Sequence, residues 1–131
     1  MTQENRLRIA LFGLRLGVFA VMLAWALDKI LRPDHAGMIF QDYYFLPEPG
    51  AGLLAAIALA EIALLLMFLL GILKTWSYGL VLLFHSVSTV APVYQYASGQ
   101  LLFYAALPMW AACFALFLMR ESDTLLTLGR N

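Results

Sequence analysis

Four long apolar runs dominate the chain, at residues 7–31, 51–73, 76–96 and 101–119. Each is close to the roughly 20 residues that a helix needs to cross the hydrocarbon core of a bilayer. A backbone placed in lipid must satisfy its own hydrogen bonds, so runs this solid predict helices. A transmembrane barrel would instead show short alternating segments. Composition agrees: only 12% of the residues are charged, about half the share of an ordinary soluble domain. Little chain is left outside the runs for a soluble domain. The expectation is an all-α polytopic membrane protein, a single integral membrane domain over residues 1–131 built as an antiparallel bundle of four transmembrane helices.

Charge placement gives that bundle a direction. Arg6 and Arg8 precede the first run, Lys74 lies between the second and third, and Arg120 and Arg130 follow the fourth. The other side carries only Arg32 and, at the edge of the first run, Lys29. The positive-inside rule therefore places both termini in the cytoplasm, which in a bacterium means the inner membrane. The first run continues past Ala24-Trp25-Ala26, so it reads as a retained helix and not as a cleaved signal. Eight Lys+Arg balance eight Asp+Glu, and nothing points to nucleic acid. A single cysteine, Cys113, excludes an internal disulfide, a CxxC redox pair and a cysteine zinc site. No metal set is expected. A haem held between two helices would need two membrane histidines, and only His85 lies within a run.

The connections are unequal. Lys74-Thr75 reads as a tight cytoplasmic turn and residues 97–100 as a short external one. The external loop 32–50 is longer and holds Pro33, Pro47 and Pro49 among the aromatics Phe40, Tyr43, Tyr44 and Phe45. Its prolines argue against a continuous helix, and its aromatic rings suit the headgroup level. Tyr43 and Tyr44 are thus candidate interface anchors, with Asp28 and Lys29 as an interfacial pair whose lysine can snorkel. The loop is either an aromatic flap, a lid over an external-facing site or a docking patch for a periplasmic partner.

Ionisable groups inside hydrocarbon are costly and therefore informative. At about 1.5 Å per residue, Arg15 sits roughly 12 Å, His85 roughly 14 Å and Glu61 roughly 18 Å from the cytoplasmic ends of their runs. An Arg15–Glu61 ion pair would neutralise both charges and fix helix packing. The same cluster could instead form a polar pocket for a proton, a quinone headgroup or a small substrate. On the third run Tyr78, His85 and Thr89 share one helical face, which must meet protein or a wet cavity and not lipid. Ligand-binding or proton-handling candidates are therefore Arg15, Glu61, His85, Thr89 and Tyr78. No nucleophile–base pair appears, so an autonomous enzyme is the least supported class.

The segment Leu14-Arg15-Leu16-Gly17-Val18-Phe19, followed by Leu27-Asp28-Lys29-Ile30, resembles the first helix of the DoxX/MauE-like membrane proteins. Glu61, with Gly71 ten residues on and then Lys74, resembles that family's second-helix pattern of intramembrane glutamate, glycine and basic turn. The resemblance implies a four-helix membrane protein linked to redox processes, either as a subunit of a quinone-linked oxidoreductase or in the maturation of periplasmic redox enzymes. A protein partner or a homo-oligomer is expected beside the lipid bilayer. Three readings stay open: a redox accessory subunit with a quinone-facing site, a subunit of a small proton-coupled transporter, or a structural assembly factor.

Overall fold

The computed structural model describes residues 1–129, so Arg130 lies outside the described residues. Among these the chain is helical, with no strand. Helix α1 (Gln3–Leu31) starts at Thr2, whose hydroxyl accepts from the Asn5 backbone N–H at 3.2 Å. That bond satisfies one of the orphan donors of the first turn. Helix α3 spans Ala51–Leu69, α4 Lys74–Val90 and α6 Ala106–Leu118. Three stretches are long and apolar enough to cross a membrane: Gln3–Leu31, Ala51–Leu69 and Leu101–Leu118.

Several sequence expectations need correction here. The segment 32–50 is not irregular throughout, because α2 (Pro33–Tyr44) occupies most of it. Pro33 stands at the first helical position, where its missing N–H would be unsatisfied anyway, so it starts a helix instead of preventing one. Phe45 closes α2 in the left-handed region (φ 54°), and Pro47 and Pro49 keep residues 45–50 non-helical. The turn placed at Lys74-Thr75 lies earlier, at residues 70–73, where Gly71 and Leu73 both have positive φ. Lys74 is the first residue of α4. The third run is also not one helix. It breaks at Ala91-Pro92 and resumes as the single turn α5 (Val93–Ala97), as expected where proline removes a donor. The fourth run opens with a 3₁₀ turn, Leu101–Ala105, before α6. Pro108 falls in the first turn of α6, where no internal bond needs its nitrogen.

Helix α1 packs against α3 and α6, α4 packs against the same two, and α2 lies across α1 and α3. Leu11, Val18, Leu65, Phe68, Val81, Cys113 and Leu116 form the shared core. Gly79 permits close approach of α4 to α6, since a Cβ there would sit 3.3 Å from the Phe117 ring. The outward faces carry exposed Leu, Val, Trp and Phe side chains along every long helix. After α6 the chain doubles back, and residues 119–129 lie against the α3–α4 turn, with the Leu128 N–H donating to the Leu70 carbonyl at 2.8 Å. We call this the turn end. The opposite end, with α2, α5 and residues 45–50, is the loop end.

Candidate functional site

The polar residues of the interior divide between the two ends. At the turn end Arg15 and Asp123 are both fully buried, with Nη1 3.3 Å from Oδ2. Tyr78 joins them: its hydroxyl accepts from Arg15 Nη1 at 3.1 Å and donates to Asp123 Oδ2 at 2.7 Å. Arg15 Nη2 donates to the Leu125 carbonyl, and Lys74 Nζ donates to the Asp123 carbonyl at 2.7 Å. The Phe12 ring lies beside the guanidinium, 5.3 Å from it. Five residues from α1, α4 and the C-terminal segment thus close one network around a buried charge pair. Removing the Tyr78 hydroxyl (Y78F) leaves two charged neighbours one bond short. It is expected to lower stability by about 1–3 kcal/mol, read as a fall in melting temperature in detergent.

The Arg15–Glu61 pair therefore does not form. The reason is the lean of side chains, which tilt toward the N-terminus of their own helix. Helices α1 and α3 run in opposite directions, so Arg15 reaches toward the turn end while Glu61 reaches toward the loop end. There Glu61 Oε2 meets Lys29 Nζ at 2.9 Å. Lys29 itself leans back down α1, within 3.4 Å of the Trp25 carbonyl. Its sequence neighbour Asp28 pairs elsewhere, with Arg32 Nε and His35 Nδ1, each at 2.6 Å. Asp28 and Lys29 are not each other's partners; each is half of a separate ion pair.

The loop-end pairs are less sealed than the Arg15 network, with side-chain exposures of 15% for Lys29 and 29% for Glu61. His85 is buried close to this level on α4. Its Nε2 lies 3.2 Å from the Ala106 carbonyl, and Trp25 stacks on its ring at 5.8 Å. Among the described residues its Nδ1 has no hydrogen-bond partner. Thr89, also buried, donates its hydroxyl to the His85 carbonyl at 2.7 Å, so that group is occupied within α4. No ion pair or hydrogen bond joins His85 to Arg15 or Glu61 among the described residues. The three do not converge on one pocket.

Tyr43 and Tyr44 fasten the end of α2 to the other elements. Tyr43 packs on Phe103 at 5.8 Å, and the Tyr44 hydroxyl lies 3.0 Å from Ser88 Oγ on α4. They thus hold α2 to the rest of the protein.

The residue that sequence reasoning missed is Asp123. It stands just past the fourth run and reads as a solvated tail acid. Two signals point to it. The lean of Arg15 aims the guanidinium at the turn end, and the stretch after Asp123 carries three leucines, Leu125, Leu126 and Leu128.

Long apolar helices, an apolar exterior and charges paired inside define an integral membrane protein of the polytopic helical class. The family model described as methylamine utilisation protein MauE matches residues 7–100. The chain belongs to that DoxX-like membrane family. The matched region contains Arg15, Lys29, Glu61, Tyr78 and His85, whereas Asp123 lies beyond it. No curated protein and no solved structure gives a significant match.

Proposed function

We propose that the chain is a membrane accessory protein for a redox enzyme of the methylamine-utilisation kind, acting as an assembly or anchoring factor and not as an autonomous enzyme. The observation that carries this reading is the division of the polar groups. The deepest charge pair is locked away by the chain's own C-terminal segment, which suits a structural role. The pairs that keep some exposure gather at the junction of α1, α2 and α3, beside the start of α2.

In this reading α4 is a fourth crossing. Its 17 residues give about 25 Å of helix, and it links two elements that would otherwise leave the chain on the wrong side. The four helices then form an antiparallel bundle in the bacterial inner membrane. Its turn end and both termini face the cytoplasm, by the positive-inside bias. The loop end faces the periplasm, where a partner protein or a second copy would meet α2 and the Lys29–Glu61 pair.

The test is growth on methylamine by cells whose only copy of the protein carries E61Q. Glu61→Gln removes the charge that holds Lys29, and a partner that engages the pair through a charge-assisted contact loses about tenfold or more in affinity. We expect growth to fall sharply while the protein stays in the membrane at its normal level. Unchanged growth would defeat the reading.

A second reading, a quinone headgroup or proton site, rests on the buried His85 Nδ1, which has no hydrogen-bond partner among the described residues and sits under Trp25. The same cells with H85Q separate the two. Under the assembly reading the amount of assembled partner enzyme falls in E61Q; under the quinone or proton reading H85Q lowers its turnover at constant amount.

A further inference from the structure

Arg8 lies seven residues before Arg15 on α1 and so shares its face, two turns nearer the membrane edge. Arg15 finds an acid and a carbonyl in the C-terminal segment. Arg8 reaches the same segment and finds neither: none of the ion pairs among the described residues involves it. Its Nε is buried, yet has no hydrogen-bond partner among those residues. Glu4, one turn earlier on α1, does not pair with it.

Around Arg8 runs a groove of about 190 Å³, lined also by Met1, Asn5, Ile9 and Leu125. It is smaller than the roughly 300–1,000 Å³ of clefts that enclose whole drug-sized ligands. Its walls combine a cation and an amide with three apolar side chains. An occupant must supply acceptor oxygens for a forked guanidinium and an apolar portion for Ile9 and Leu125. A phosphate diester meets the first demand through charge-assisted bonds, and an attached glycerol and acyl chain meets the second. Height agrees, because Arg8 is the second residue of the first apolar run, where headgroups begin.

We propose that this groove binds the phosphate of an anionic phospholipid, with Arg8 as its principal ligand and Asn5 beside it. The lipid fills the gap between α1 and the C-terminal segment and supplies the acceptor that the described residues do not offer Arg8.

The experiment uses the full chain in nanodiscs of phosphatidylglycerol mixed with phosphatidylcholine, followed by mild extraction and mass measurement of the lipids retained. Wild type is expected to retain phosphatidylglycerol in preference to phosphatidylcholine. Retention should fall about tenfold or more in R8Q, the loss of one charge-assisted hydrogen-bonded contact. R6Q removes the same charge from an exposed neighbour and is expected to behave as wild type. R8K keeps the charge without the Nε donor, and is expected to lie between. Equal retention of the two lipids, or an equal loss in R6Q and R8Q, would overturn the proposal, as would R8K matching wild type. Displacement of the lipid by millimolar inorganic phosphate would overturn its lipid source and assign the groove to free phosphate.

Discussion

Replacing Asp123 by alanine is expected to destabilise the protein by about 3–5 kcal/mol, the cost of leaving one member of a buried ion pair without its partner. Asp123 has no exposed surface, and neither does Arg15. The guanidinium would keep the Tyr78 hydroxyl and the Leu125 carbonyl, but neither carries a charge. Tyr78 would lose the acceptor for its own proton, which now goes to Asp123 at 2.7 Å. Thermal unfolding in detergent measures the loss. The double variant R15M/D123L removes both charges and should recover most of it, since well-packed apolar side chains often replace a buried pair at little cost. A double variant as unstable as D123A would show that the pair does more than neutralise itself.

Gly71→Ala is the second large effect, expected at about 2–5 kcal/mol. Gly71 sits at φ 63°, where any side chain costs about 1–2 kcal/mol. A Cβ there would also lie 2.6 Å from Thr127 Cγ2, adding about 1–3 kcal/mol of overpacking. The two contributions can be separated. Thr127→Gly in the G71A background relieves the contact but leaves the backbone strain, so partial recovery is expected. Full recovery, or none, would show that one contribution acts alone. The effect ties the α3–α4 turn to residues far along the chain, in a segment a soluble tail would leave free.

Much of the architecture was legible because bilayer physics acts on length and hydropathy. The three long apolar helices coincide with the first, second and fourth runs, the first of them starting four residues ahead of its run. What failed were positions decided by single residues. Pro33 looked like a helix breaker and is a helix starter, a distinction that depends on one position of register. The Arg15–Glu61 pairing failed because depth was estimated from Cα positions alone. Antiparallel helices carry their side chains in opposite directions, so two groups about 6 Å apart in estimated height part company. Lys29 ends a run and so reads as interfacial, yet its long side chain runs back toward Glu61. Asp123 was invisible to any argument about spans, since it belongs to none of them.

Its place in the chain has a consequence for how the protein is made. Arg15 enters the membrane near the start of synthesis, and its counter-charge is translated roughly a hundred residues later. At about 5–20 residues per second, the guanidinium waits on the order of 5–20 s for its partner. Throughout that interval α1 must remain shielded by the insertion machinery or slide toward the headgroups. The final fold is thus completed from the rear, once the C-terminal segment has been made. A bulky fusion joined close behind residue 129 would obstruct that last step, where one joined ahead of α1 would not.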